Sequence, residues 1–453
     1  MDYESLKRLG LDHRNIDVSS SFETFDPTTN NHTIFLKLLN SQNYTCPYCG
    51  IVGEYKMRSS KILKIKYSSP LENNITIMFK RRQFKCDCCE HYFQEPNPFN
   101  VSKKHISLMK DYQILYALRD ITKTYSSVAK EFDVSPTYVL DLFDRKVDLK
   151  RLSLPEVMCV DEVYSKKLSY HHYCFIIYDP INKNIIDVLN SRRLNKLDDY
   201  FAKIQLSEKR KVKYFSMDLY DNYRNLAKRC FPNAKICADA FHVIKHISEA
   251  LQAVRRTIMS KYDNIKTEND GNYWILKKKW KLLTKDRTKL DYKKIRIPKT
   301  SHYMNEFEMI EYMIKIDPKL EKAYELYHNY LAFNSNATPQ NAAEWLDELI
   351  LEYKASNIDK FVPVWKMLEN WKIEIINSFD RVNDKRISNG PMERVNRDIK
   401  TLFRISFGST NFARMRNRIM YCINSDSSIL YSRKTTNNNI KKRPRGKYNK
   451  NKK

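Results

Sequence analysis

Long apolar runs are absent from this chain. No stretch approaches the ~20 apolar residues that a membrane-spanning helix needs. The first residues, Met1-Asp2-Tyr3-Glu4-Ser5, are polar and do not resemble a secretion signal. An intracellular, cytoplasmic protein with no membrane partner is therefore expected. Acidic residues are short relative to basic ones: 53 Asp and Glu face 81 Lys and Arg, a formal charge of +28 over 453 residues. Such an excess expects a polyanion, and nucleic acid is the commonest one. The bland alternative is a Lys-rich soluble protein, because Asn, Ile and Lys are all abundant. A disulfide framework is not expected in a reducing compartment, so the ten cysteines direct attention to metal ligands.

Four of those cysteines form two knuckles, Cys46-Pro47-Tyr48-Cys49-Gly50 and Cys86-Asp87-Cys88-Cys89. Cys46, Cys49, Cys86 and Cys89 together supply four thiolates for a tetrahedral zinc, with Cys88 as an alternative to a neighbour. Four sulfurs leave no open position, so this zinc is expected to be structural. Between the knuckles, Ile75-Thr76-Ile77-Met78-Phe79 and Lys80-Arg81-Arg82-Gln83-Phe84-Lys85 read as a β-ribbon with a basic strand. Arg81 and Arg82 are its expected DNA contacts. The other cysteines (Cys159, Cys174, Cys230, Cys237, Cys422) are scattered, mostly in apolar runs, and read as core.

Residues 107–147 are helical in period. Val128, Ala129 and Phe132 repeat at helical spacing, and Asp133-Val134-Ser135 makes a short turn. Ser135 is the expected N-cap, with Pro136 at the first helical position and Val139, Leu142 and Phe143 as the next apolar stripe. This is a helix-turn-helix pattern, whose second helix would present Thr137 and Tyr138 to the major groove. Asp141 and Asp144 on the same helix would repel phosphate, and many helical hairpins of this kind never touch DNA.

From Pro155 strands and helices alternate. Val157–Glu162, Tyr173–Tyr178, Ile185–Leu189, Tyr214–Asp218 and Lys235–Asp239 read as strands, with a helix over 221–230. The order β-β-β-α-β-α-β is that of an RNase H-like fold, an α/β core with a mixed five-stranded sheet. Its first and fourth strands lie adjacent, which would bring Asp161 and Asp218 together. Carboxylates at strand ends suit magnesium, a hard ion that prefers oxygen. Either aspartate alone could equally be a turn or capping residue; their matching positions favour a site.

A third acid comes from a helix opened by Pro391. Glu393, Arg397, Lys400 and Arg404 recur at i, i+4, i+7 and i+11 on one face, beside an apolar face of Met392, Val395, Ile399 and Leu402. One acid followed by a basic stripe suits a metal ligand beside a phosphate track; a solvated amphipathic face is the alternative. Arg414, Arg416 and Arg418 follow, and Arg416 is a further expected DNA contact.

The chain resembles the ISL-three family of insertion-sequence transposases, within the bacterial DDE transposases. The likeness is carried by Val160-Asp161-Glu162, Ser216 through Tyr223, Phe231-Pro232-Asn233-Ala234, Ala238 through Val243, Ser388-Asn389-Gly390 through Arg404, and Gly408. With the cysteine knuckles and the helix-turn-helix it spans about residues 40–425. The resemblance implies that Asp161, Asp218 and Glu393 are the three catalytic acids, holding two magnesium or manganese ions. It also sets Asp239 and His242 beside the site, in an Asp-x-x-His element. The family's usual Asp-Arg-Phe-His is here Asp239-Ala240-Phe241-His242, without the Arg. His242 reads equally as a capping residue. Asn389, in the turn before the third acid, is expected to support the ligands.

Ile244, Ile247, Leu251, Val254 and Ile258 mark a long buried helix after His242. Residues 270–380 then read as mostly helical, with Pro318 opening one helix and Leu320, Ala323, Tyr324 and Tyr327 as its buried face. The expected organisation is an N-terminal arm (1–40), a zinc ribbon (41–100), a helix-turn-helix (101–150), the core's first part (151–260), an all-helical insertion (261–380), the third-acid region (381–430) and a disordered basic tail (431–453). The expected function is a DNA transposase that binds its element's inverted repeats, hydrolyses a phosphodiester there and joins the freed end to target DNA. Its expected partners are double-stranded DNA and a second or further copy of itself, with no nucleotide cofactor, at the bacterial nucleoid. Rival readings are a DNA-binding regulator descended from a transposase and an RNase H-like nuclease.

Overall fold

The structure, a computed structural model, describes residues 2–424 apart from 9, 12–14, 29–30, 40–42, 70–73, 100–104, 167–171, 263–270, 298–301 and 407–409. Gly408 and the basic tail expected over 431–453 lie outside the described residues. Two compact units divide the chain, one running to Leu149 and one from Lys150. No helix among the described residues is long and apolar enough to cross a membrane.

The first unit is built on a five-stranded sheet. Strands β1 (Phe22–Asp26), β2 (Asn31–Leu36), β3 (Met57–Tyr67), β4 (Ile75–Lys85) and β5 (Tyr92–Gln94) pair in the order β1-β2-β4-β3, with β5 also on β4. The first 40 residues are thus not a separate arm. β2 runs parallel to β4 from His32↔Ile75 to Leu36↔Phe79, and Ile34, Leu36, Ile65, Ile77 and Phe79 bury one face together. That alternation is the period of two expected for a half-buried sheet. Beyond it come α1 (Leu108–Ala117), α2 (Tyr125–Glu131) and α3 (Pro136–Lys146). Ser135 caps α3 by accepting from the Tyr138 amide at 3.2 Å, with Pro136 in the first turn. Val128, Ala129, Phe132, Val139, Leu142 and Phe143 are all buried, as the helical spacing requires.

The second unit holds a mixed sheet of β6 (Val157–Tyr164), β7 (Tyr173–Asp179), β8 (Asn184–Leu189), β9 (Tyr214–Met217) and β10 (Lys235–Ala238), in the order β8-β7-β6-β9-β10. β6, β7 and β8 are antiparallel neighbours, while β9 is parallel to both β6 and β10. A parallel neighbour needs a crossover, which α4 (Leu194–Ala202) and α5 (Asp221–Cys230) supply. The long helix α6 (Ala240–Ser260) buries Val243, Ile247, Leu251, Val254 and Ile258, and leaves Ile244 half-buried.

The segment after α6 is not all-helical: Ile295–Arg296 and Tyr303–Met304 form a small antiparallel pair. Nor is it a separate body. Leu320, Ala323, Tyr324 and Tyr327 of helix α7 (Pro318–Asn336) share one continuous core with the sheet and α6. Polar ties close the chain back onto the sheet. Asn377 donates to the Ile236 carbonyl at 3.0 Å, and Lys235 pairs with Asp380 at 2.7 Å. A tight hairpin follows, with Asn383 and Asp384 both at positive φ, which short polar side chains tolerate. It delivers the chain to helix α8 (Gly390–Ile405), whose Met392, Val395, Ile399 and Leu402 are buried.

Candidate active site

The sheet register brings the acids together. Cys159 of β6 lies opposite Ser216 of β9, so two residues further on Asp161 and Asp218 come level. Met217 of β9 lies opposite Ala238 of β10, and the Asp239 amide donates to the Met217 carbonyl at 2.9 Å. Asp161, Asp218 and Asp239 therefore form a row across three parallel-running strands: Asp218 and Asp239 stand just past the carboxyl ends of β9 and β10, while Asp161 lies within β6, which continues to Tyr164 rather than ending at Glu162 as expected. That edge is where open α/β sheets place their ligands.

His242, on the first turn of α6, closes the row. Its Nδ1 is 2.9 Å from Asp239 Oδ2 and its Nε2 is 3.1 Å from Asp218 Oδ2. Ligand atoms of Asp218, Asp239 and His242 all lie within 4.8 Å of one another. Burial, then the negative charge of Asp161, pushes the Asp218 carboxyl up to about 7. Burial also raises Asp161. Burial alone would lower His242, but its bond to Asp239 and the charges of Asp218 and Asp239 outweigh that and raise it. Carboxylates crowded out of water in this way lack countercharge.

The residues present fit a hard divalent cation. The donors are mostly carboxylate oxygens, and Asp218 Oδ1 is buried with no hydrogen-bond partner among the described residues. The expected triad is only partly assembled, however. Asp161 and Glu393 both lie outside this cluster, and Glu393 is exposed. Helix α8 instead sets Asn396 on the site, its Nδ2 donating to Asp161 Oδ2. Asn389, just before the helix, does not cap it; its Nδ2 donates to the Val160 carbonyl at 3.2 Å. Asn389, Glu393 and Asn396 follow each other at i, i+4 and i+7, so Glu393 stands between the two anchors on one helix face. The sequence reading missed Asn396, although its place one turn beyond Glu393 was a usable signal. It also missed Glu162, which accepts from Tyr223 Oη at 2.7 Å and pairs with Arg192, itself stacked 3.9 Å over the Tyr173 ring.

The expected DNA contacts divide. Thr137, Arg397, Lys400 and Arg404 are exposed. Arg82 is buried: it pairs with the fully buried Glu95 and donates to the Leu39 carbonyl at 2.9 Å and Tyr44 Oη at 3.0 Å. Its burial against Glu95 and Tyr44 makes it a structural cation rather than a phosphate contact. Arg81 bonds the Glu95 carbonyl at 2.7 Å and Gln94 Oε1 at 2.6 Å. Tyr138 is also buried, with its hydroxyl bonded to Asp111, because that side of α3 packs on α1. Arg416 is held by Asp187 at 2.6 Å, beside the Tyr200 hydroxyl on the same carboxylate.

In the first unit the two knuckles are built alike. Cys46 N–H donates to Ile51 O and Cys86 N–H to His91 O, both at 2.9 Å. Gly50 and Glu90, each just after a knuckle, both have positive φ. Sγ atoms lie 3.7 Å apart for Cys46 and Cys89, and 3.6 Å for Cys49 and Cys86. Sulfurs ~2.3 Å from a tetrahedral zinc would be about 3.8 Å apart. The backbone amides of Cys89 and Cys88 help bring the Cys86 thiol down to about 6, which favours a thiolate ligand. Cys88 is exposed and outside the four-sulfur cluster, so the geometry selects Cys89 over it.

A family model described as Transposase, for DDE transposases of the ISL-three type, matches residues 158–419, more than half of the chain. An uncharacterized 48.3 kDa protein of insertion element ISM1 from Methanobrevibacter smithii is 24% identical over 243 residues, 50% of this chain and 58% of that protein. A transposase for insertion sequence element IS1557 from Mycobacterium tuberculosis is 23% identical over 273 residues, 58% of each chain. The match thus spans under two thirds of the length of either relative.

Proposed function

The chain belongs to the ISL-three family of DDE transposases, and on that premise we propose that it cuts and rejoins DNA at the ends of its own insertion sequence. The observation that carries this reading is the level placement of Asp161 and Asp218 on adjacent strands, with Asp239 and His242 against Asp218. We read the five-stranded sheet as an RNase H-like core, supported by its strand order and mixed sense.

The family implies a divalent metal. A bound pair of magnesium or manganese ions would activate the attacking oxygen and stabilise the leaving one in an in-line displacement. Asp161 and Asp218 would hold the metal. Asp239 fixes His242 through Nδ1, and a protonated His242, donating also from Nε2 to Asp218, offsets part of the charge of those two acids. Glu393 is proposed as the third ligand, supplied by the helix face that meets β6. Arg397, Lys400 and Arg404 continue outward along α8 and suit a phosphate track.

The first unit is proposed to bind the terminal repeats, with a structural zinc on Cys46, Cys49, Cys86 and Cys89. Exposed basic residues Lys56, Arg58, Lys61 and Lys64 run into and along β3, with Lys80 on β4. None of these five has a carboxylate partner among the described residues. Such a row fits the DNA backbone better than the exposed acids Asp141 and Asp144 of α3. Two element ends must be processed together, so a dimer or larger assembly is proposed.

The test is strand cleavage of a duplex carrying the element's end, with magnesium. Asp161→Asn and Asp218→Asn should each abolish cleavage while leaving end binding intact. Cleavage at the wild-type rate by either variant would sink the assignment. Activity on duplexes regardless of end sequence would favour a general nuclease instead.

A further inference from the structure

Two asparagines fasten α8 to β6. Asn389 donates to the carbonyl of Val160 and Asn396 to the carboxylate of Asp161, consecutive residues of one strand. Their spacing of seven residues is about two helical turns, roughly 10 Å along the axis. A helix held at two points on one face cannot rotate about its axis without breaking a bond. Glu393 sits between those points, so the same two amides set the face on which it is presented. Asn389 is 3% exposed, which makes the first point a buried anchor. The second differs in kind, because it ends on a proposed metal-binding acid rather than on backbone.

The carboxylate of Asp161 is oriented from both sides. The Glu162 amide donates to Oδ1 at 2.6 Å, and the Asn396 amide donates to Oδ2. A carboxylate that accepts two fixed donors retains lone pairs on both oxygens but loses its freedom to swing. Next to it, Asn396 Oδ1 and Asn389 Oδ1 are buried with no hydrogen-bond partner among the described residues, as is Asp218 Oδ1. A fold selected for packing alone would not leave three acceptor oxygens without donors in one neighbourhood. An apolar residue of similar volume at position 396 would fill the same space without that cost.

We propose that Asn396 is a positioning residue for the proposed cleavage reaction: its amide orients Asp161 and, through the same bond, holds the helix that carries Glu393 in register with the metal-binding row. This rests on the reading of Asp161 and Asp218 as cation ligands. Residues that orient metal ligands usually change metal affinity or activity 10–100-fold when lost.

The decisive comparison is Asn396→Gln against Asn396→Met. Both side chains are unbranched and fill the site, but only Gln carries an amide donor. Calorimetric titration of the full-length protein with manganese, without DNA, reads the effect independently of catalysis, and thermal unfolding confirms that each variant is folded. Asn396→Met should bind manganese about 10–100-fold more weakly than wild type and cleave correspondingly more slowly. Asn396→Gln should recover most of that affinity. Equal manganese affinity in the Gln and Met variants would overturn the role of Asn396. A wild-type protein that bound no manganese would instead overturn the cation-site reading beneath it.

Discussion

Arg82 and Glu95 form an ion pair inside the N-terminal unit, with the Glu95 side chain fully buried. The guanidinium spends its other bonds on the Leu39 carbonyl and Tyr44 Oη, so it ties β4 to the chain before the first knuckle. Removing one member of a buried pair strands the other charge. Arg82→Leu should therefore destabilise this unit by about 3–5 kcal/mol, seen in urea unfolding of the full chain. A phosphate contact would behave oppositely: unchanged stability with weaker DNA binding would refute the structural role.

Zinc content distinguishes the two candidate ligands in the second knuckle. Wild-type protein should carry one zinc per chain. Cys89→Ser should lose it, and Cys88→Ser should keep it, because only Cys89 shares the four-sulfur cluster. Metal analysis of the purified variants decides the matter, and the reverse pattern would reassign the ligand.

Lys110 gives a pH signature. It is 1% exposed, and burial brings its pKa down to about 8 from 10.5. Below pH 8 both folded and unfolded chains carry the proton, and the burial cost is present in full. Between pH 8 and 10.5 the unfolded state binds more protons, so this group's contribution to stability rises with pH. Lys110→Met should remove that rise and stabilise the N-terminal unit at pH 7. Unfolding midpoints measured across pH 7–10.5 test this; a variant less stable than wild type at pH 7 contradicts it.

The basic row along β3 should dominate the salt dependence of DNA binding. Charge reversals at Arg58 and Lys61 should weaken end binding and flatten the slope of log affinity against log salt by roughly one per lost phosphate contact. Thr137→Ala should leave that slope unchanged. If the β3 reversals bound DNA as wild type does across 50–200 mM salt (about the range over which such contacts are felt), the surface assignment would fail.

Much of the fold was legible because periodicity is local. The stripes Val128-Ala129-Phe132 and Val139-Leu142-Phe143, and the strands carrying Asp161 and Asp218, were readable as patterns; the stripes are buried and the strands are neighbours, although β6 runs on past Asp161 to Tyr164. The same patterns could not say which member of a polar pair faces inward. Arg81 and Arg82 are adjacent on one strand, and alternation alone puts them on opposite faces. Which of those faces is covered depends on Glu95 and Tyr44, which come from other parts of the chain. Tyr138 was misread for the same reason: its partner Asp111 lies on another helix.

The sequence by itself determined the apolar stripes of the helices, the cysteine spacing and the core strands that carry Asp161 and Asp218, since each follows from residues near one another along the chain. Only the tertiary structure decided the neighbours of those groups. It set Asp239 and His242 against Asp218, selected Cys89 over Cys88, and left Glu393 exposed while seating Asn396 on Asp161 across a separation of 235 residues. Hydrogen bonds and burial reward proximity in space, and for pairs so distant along the chain the register of a sheet and the rotation of a helix settle that proximity.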